Sequence, residues 1–156
     1  MKTDHKEKDL FVKLCRFCAY RERAEIEVFE KMQQLEIKPN LQQKLVAKLK
    51  EENFLNEERY AVYYAKGKFR NNQWGKLKIA LHLKMKKIKK ETIAFAVNQL
   101  DDEDYVKTIN TLIIKKNKKY KEPDIYKKKS KIANYLYNKG FETDIIWDCI
   151  NECSIH

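Results

Sequence analysis

The side chains with the clearest capacity for chemistry are four cysteines, Cys15 and Cys18 in a C-x-x-C spacing and Cys149 and Cys153 one helical turn apart. Four thiolates would bind zinc tetrahedrally if the two ends of the chain met. A C-x-x-C inside a helical stretch, however, lacks the turn that presents both sulfurs to one metal. Cys149 also takes a packing position in the repeat described below, so the four read as reduced thiols and no metal is expected. His5, His82 and His156 stand apart from one another. There is no Gly-rich phosphate loop, no H-E-x-x-H and no nucleophile with an evident base, which points away from an enzyme and from a cofactor.

The remaining chemistry is cationic. The chain carries 34 Lys+Arg against 23 Asp+Glu, a formal net charge of +11. Residues 1–55 hold 12 basic and 10 acidic groups, residues 56–100 hold 11 and 3, and residues 101–156 hold 11 and 10. A general lysine habit would not concentrate charge in the middle third, so an anionic partner, nucleic acid or a nucleoprotein, is expected there. The candidate contact residues are Arg59, Lys66, Lys68, Arg70, Lys76, Lys78, Lys84, Lys86 and Lys87. Each phosphate such a patch neutralises releases counterions, so binding should weaken steeply as salt rises. Any one of these lysines alone reads more simply as solvated surface; as a group they read as a patch. Arg59 has a second reading, as the partner of a carboxylate within the fold. Trp74 reads as a wedge between helices before it reads as a base-stacking platform. The lysine runs 115–121 and 127–131 around Pro123 have one reading as contacts to DNA or to an acidic partner surface, and read more simply as mobile loop and helix edges. Tyr60, Tyr63 and Tyr64 fall on one helical face and are expected in the core, with Leu77, Leu81, Leu83 and Ile88.

Helices must position these residues. Only 3 Gly and 2 Pro occur in 156 residues, too few for the turns of a strand-rich fold, and 43% hydrophobic residues suffice for a core. The first nine residues are charged throughout and no apolar run nears the roughly 18 residues that span a bilayer, so a soluble cytoplasmic protein is expected. Residues 23–50 can be laid over 74–101 at an offset of 51. Ile26 then falls on Leu77, Val28 on Ile79, Met32 on Leu83, Ile37 on Ile88 and Val46 on Val97. A third copy follows at an offset of 53, with Ile79 on Ile132, Leu83 on Leu136, Ile88 on Phe141 and Val97 on Ile150. Such self-similarity marks duplicated supersecondary units that stack on one another.

The reading is all-α: three tandem three-helix repeats, 1–53, 54–101 and 102–156, in an elongated array open to curvature. Helices are expected over 9–20, 23–35 and 40–52, the third entered through Pro39 with Asn40 as its cap. In the second unit Asn56 caps a helix to Arg70, Asn71–Asn72 break it, and helices follow over 74–87 and 90–100. The third unit has a helix from the acidic stretch 101–104 to Lys116, a charged loop over 117–123, and helices over 124–138 and 143–153. Gly140 suits the left-handed position between the last two.

The stretch Phe54-Leu55-Asn56-Glu57-Glu58-Arg59-Tyr60-Ala61 resembles the L-x-[DN]-[DE]-x-[RK]-[FY]-A signature of RecX proteins. Trp74-Gly75-Lys76-Leu77-Lys78-Ile79 and Leu83-Lys84-Met85-Lys86-Lys87-Ile88 follow at that family's spacing. Trp74 stands where Tyr is usual, and Lys87 where Gly is usual, which puts the tight turn there in question. The resemblance implies a monomeric regulator lying in the groove of the RecA filament, contacting RecA and, weakly or through the filament, DNA, and mainly inhibiting recombination. A helical DNA-binding module acting without RecA is the alternative.

Overall fold

The structure, a computed structural model, describes residues 2–156, the side chains of 2–4 excepted. The described residues form nine helices in three consecutive groups. The first group is α1 (Lys2–Tyr20), α2 (Glu25–Gln34) and α3 (Pro39–Glu51). The second is α4 (Glu57–Asn72), α5 (Lys76–Met85) and α6 (Lys90–Asn98). The third is α7 (Asp102–Lys119), α8 (Ile125–Asn138) and α9 (Thr143–Glu152). Helix-to-helix packing is concentrated within each group. The accessible surface is 10519 Å², against about 8,300 Å² for a compact globule of this mass. That excess is what an extended array of small units leaves open to solvent.

The repeat is written into the backbone as well as the core. Glu36, Lys87 and Gly140, related by the offsets of 51 and 53, all have positive φ (56°, 64° and 96°). Each closes the turn between the second and third helices of its group. The next amide in each case bonds back across the turn: Ile37 N to Met32 O (3.0 Å), Ile88 N to Leu83 O (3.2 Å) and Phe141 N to Leu136 O (3.2 Å). All six of these side chains are buried, the apolar clasp of a left-handed helix end. Lys87 therefore makes the tight turn that glycine would make, at the steric cost of a Cβ in the left-handed region.

Several boundaries differ from the sequence reading, each for a local reason. Lys38, not Asn40, is the N-cap of α3, which puts Pro39 in the first turn, where its missing N–H costs nothing. Asn71 and Asn72 do not break α4; the chain leaves the helix one residue later, through Gln73 at φ 56°. α5 is shorter at both ends than expected because Gly75 caps it and Lys86 ends it. α7 runs on to Lys119, and α1 begins at Lys2. Asn56 does cap α4, its Oδ1 accepting from Arg59 N at 2.9 Å, and Asp101 and Asp124 cap α7 and α8 in the same way.

There are two interiors. One belongs to the first group and contains Phe11, Leu14, Cys18, Val28, Met32, Ile37, Leu45, Val46, Leu49 and Leu55. The other runs without a break through the second and third groups, from Tyr60, Ile79 and Leu83 to Ile132, Phe141 and Ile150, with Ala24 as the contribution of the first group. The second and third groups are also joined through the backbone. Gly75 N donates to Lys139 O (2.7 Å) and Leu77 N to Gly140 O (2.9 Å). This contact is so close that a Cβ on Gly75 would lie 2.3 Å from the Gly140 carbonyl carbon and oxygen.

A tyrosine fastens each joint. Tyr60 and Tyr105 each lie four residues after the capping residue of their helix, Asn56 and Asp101. Tyr60 is hydrogen-bonded to Glu27, at the start of α2. The Tyr105 hydroxyl accepts from Lys76 N (3.0 Å), at the start of α5, and donates to Glu142. Burial and these carboxylate partners push both phenols above their ordinary range. At the first joint Glu27 is the hub: Arg21 Nη2 lies 2.6 Å from it, Arg23 Nη1 3.8 Å, and Ala24 N donates to it at 3.3 Å. Burial pushes the Glu27 carboxyl up, but the Arg21, Ala24 and Tyr60 hydrogen bonds outweigh it and hold the group below the ordinary carboxylate value.

Candidate functional site

α4 and α5 carry most of the cationic residues singled out from the sequence. Lys66 and Arg70, one turn apart on α4, share a face, and Lys68 lies on the adjacent one. With Arg21 from the first group and Lys86 from the turn after α5, these residues line a groove of about 590 Å³ that also exposes Tyr63 and Tyr64. A second groove, of about 450 Å³, shares Lys66 and Arg70 and reaches the acidic start of α7 at Asp101 and Asp104.

The other predicted residues fall in different places. Arg59 is held within the fold: its Nε lies 2.7 Å from Glu22 and its Nη2 donates to Asn53 O at 2.9 Å, tying α4 to the first group. The Lys76 ammonium lies 5.0 Å from the Tyr105 ring centroid, toward the third group. Lys68 and Lys78 approach Trp74 at 5.1 and 4.6 Å, with the His82 ring 4.6 Å from the same indole. Partial burial, then Lys78 and Lys68, lower the His82 pKa, so the imidazole adds a neutral ring rather than another cation. Lys84 and Lys87 are exposed. Among the described residues, none of the eight other than Arg59 forms an ion pair. Unpaired cations on helices, beside aromatic rings and with no carboxylate in α5 at all, give a surface suited to anions.

Apolar residues expected in the core lie beside those cations. Leu77, Leu81 and Met85 repeat every fourth residue along α5, yet they are 50%, 57% and 65% exposed. Tyr63 is 50% exposed, while Tyr60 is buried and Tyr64 only partly so. The α5 sequence KLKIALHLKM is apolar on more than one side. Ile79 and Leu83 take the inward face, which leaves Leu77 and Leu81 outside. A two-residue difference in register decides this, and spacing alone cannot say which stripe wins.

The cysteines split between the two interiors, Cys15 and Cys18 in the first and Cys149 and Cys153 in the second. Burial raises all four thiols, Cys18 to about 11, so they stay protonated. Among the described residues no three His, Cys, Asp or Glu side chains are grouped to hold a metal, and no helix is long and apolar enough to cross a membrane.

Comparison with known proteins places this arrangement. Residues 56–97 match the second three-helix domain of RecX and residues 102–150 the third, together more than half of the chain. The regulatory protein RecX of Bacillus cytotoxicus is 27% identical over 136 residues, and that of Bacillus thuringiensis 24% over 136 residues. Each match takes in 87% of this chain and 50% of the relative, so the chain spans about half the length of these curated relatives. The crystal structure of RecX from Lactobacillus salivarius superposes with a TM-score of 0.87 at 26% identity, over 96% of this chain and 97% of that one. A second crystal structure of a regulatory protein RecX shares the fold, with a TM-score of 0.82 at 20% identity over 94% of this chain and 74% of that one. Two consecutive domain matches, an all-helical repeat and the curated relatives agree: the chain belongs to the RecX family.

Proposed function

We propose that this protein is a non-enzymatic, cytoplasmic regulator that lies along the RecA–DNA filament and restrains its recombinase activity. The observation that carries the proposal is the mixed character of α5. The exposed stripe Leu77, Leu81 and Met85 runs beside Lys78 and Lys84, and the helix bears no carboxylate. A bare DNA duplex keeps its base faces stacked inside, away from an apolar stripe, whereas a nucleoprotein offers both protein surface and phosphate. Residues 1–53, 54–101 and 102–156 act as three stacked units and give a monomer the length to touch more than one protomer of an extended partner. The cations Arg59, Lys66, Lys68, Arg70, Lys76, Lys78, Lys84, Lys86 and Lys87 form the partner-facing patch, within which Arg59 serves mainly to fix the first unit to the second.

The test is RecA's single-strand-dependent ATP hydrolysis, titrated with this protein at fixed moderate salt. Inhibition well below one copy per RecA, relieved by charge reversal at Lys78 and Lys84, is the expected result. The second reading, a DNA-binding module acting without RecA, is favoured by the unpaired lysines around Trp74. Tight binding to bare DNA with no effect on RecA would establish it in place of the first.

A further inference from the structure

The cationic surface does not stop at the end of the second unit. The Lys116 ammonium lies 4.1 Å from the Tyr135 ring centroid and 5.6 Å from that of Tyr120, and Lys139 lies 5.8 Å from Tyr135. Partial desolvation, then the ammoniums of Lys119, Lys115 and Lys139, hold Lys116 below the ordinary lysine value. Burial, then Lys78 and Lys115, do the same to Lys139. Among the described residues none of Lys115, Lys116, Lys119 and Lys139 has an ion-pair partner. Like charges crowd here without an ion-pair partner among the described residues, which favours an anion from outside.

This cluster adjoins the one around Trp74. Lys139 O accepts the Gly75 amide and Gly140 O the Leu77 amide, which seats Lys139 beside Lys78. Lys78 is in turn 4.6 Å from the Trp74 ring, with Lys68 on the same ring at 5.1 Å. Cations and rings thus alternate on each side of the joint, Lys68, Trp74, Lys78 on one and Lys139, Tyr135, Lys116, Tyr120 on the other, with Lys78 and Lys139 side by side at the seam. Proteins that hold single strands use this alternation, phosphates on cations and bases on rings.

We propose that single-stranded DNA crosses from the second unit to the third along this track, with phosphates on Lys68, Lys78, Lys139 and Lys116 and bases on Trp74 and Tyr135. The proposal rests on the DNA-facing side of the function above and adds a station on the third unit. Lys116, which covers the Tyr135 ring in the free protein, moves to a phosphate as a base takes its place. A duplex keeps its bases stacked inside and leaves the two rings empty, so the track selects single strands.

The test is fluorescence anisotropy of the full chain without RecA, against a labelled oligothymidylate and a duplex of equal length. The oligothymidylate should bind about tenfold tighter. Lys116→Gln with Lys139→Gln should weaken it about tenfold and reduce the slope of log affinity against log salt by about 1.4, at about 0.7 for each lost phosphate contact. Tyr135→Leu should weaken it at least about fivefold, the loss of one stacked base, and Tyr135→Phe should restore it. Circular dichroism of each variant checks that the fold is intact. Equal affinity for the duplex, or unchanged oligothymidylate binding by the double-lysine variant, overturns the proposal. The two readings fail separately. Inhibition of RecA with unchanged oligothymidylate binding in the variants removes this track alone. Variant-sensitive binding to oligothymidylate with no effect on RecA removes the regulatory function alone.

Discussion

Replacing Gly75 by Ala tests how the second and third units are held together. The added Cβ would lie 2.3 Å from the Gly140 carbonyl and 2.4 Å from Phe141 N, all backbone atoms that cannot swing aside. To accommodate a methyl group the start of α5 must back away by about an ångström, well outside the contact distance of packed carbon atoms. The bonds from Gly75 N to Lys139 O (2.7 Å) and from Leu77 N to Gly140 O (2.9 Å) then fail together. Leaving the groups of one such bond unsatisfied costs about 1–3 kcal/mol. Gly75, at φ −79° and ψ 170°, is in a region open to Ala, so the substitution recovers about 0.4–1 kcal/mol from the unfolded chain. The net expectation is a loss of about 2–4 kcal/mol, or about 5–15 °C in melting temperature for a chain of this size. Thermal unfolding followed by circular dichroism at the helical band measures it. Gly67→Ala is the control: it lies within α4 with nothing inside 4 Å of the new methyl, and it should stabilise by about 0.5–1 kcal/mol. A Gly75→Ala protein that melts at or above the parent, with Gly67→Ala behaving as stated, would refute the close-contact account.

Three further outcomes follow from particular residues. Lys87→Gly relieves a left-handed Cβ worth about 1–2 kcal/mol and gives back about 0.5–1 kcal/mol in backbone entropy; a rise of about 0.5–1 kcal/mol in denaturant-derived stability is expected, and a fall would show that the turn carries no strain. Glu27→Gln should destabilise the protein at neutral pH. Because the folded carboxyl is held below its unfolded value, the stability it contributes is present above that unfolded value and disappears as pH falls through the folded one. The gap between Glu27→Gln and parent should therefore close on acidification below about pH 4, as urea midpoints across pH would read. Leu81→Glu, at a 57% exposed site, should change stability by less than about 0.5 kcal/mol while abolishing inhibition of RecA's ATP hydrolysis; retained inhibition would remove the apolar stripe from the interface.

The amount legible in the sequence followed the range of the interactions. Apolar periodicity, the cap at Asn56 and the acidic stretch 101–104 act within a turn or two, and they located the helices to within a few residues, α1 excepted. The offsets of 51 and 53 found the repeats because buried positions recur with them. The joints were not legible. Gly75 meets Gly140, Tyr60 meets Glu27, and Tyr105 meets Lys76 and Glu142, pairs far apart in the chain with no local pattern to announce them. The apolar character of Leu77 and Leu81 misled because it is the character of core residues, and only the packing of Ile79 and Leu83 decides which stripe turns inward. For the candidate site, charge asymmetry pointed to α4 and α5. The lysines of the third unit read first as loop and helix edges, because the approach of Lys116 to the Tyr135 ring is made only by the fold. Arg59 shows the converse: a cation in a signature motif that the fold itself employs.

The separation of the two interiors has a consequence for how the chain tolerates change over evolutionary time. A defect at Leu14 or Met32 is confined to a core that its own three helices build. A defect at Ile79 or Phe141 propagates through an interior shared by six helices. The first unit, fastened through Arg59, Glu22, the Glu27 hub and the buried Ala24, is thus free to drift in sequence provided that handful of positions persists. The second and third must drift together, each substitution on one side of their seam limiting what the other side can accept.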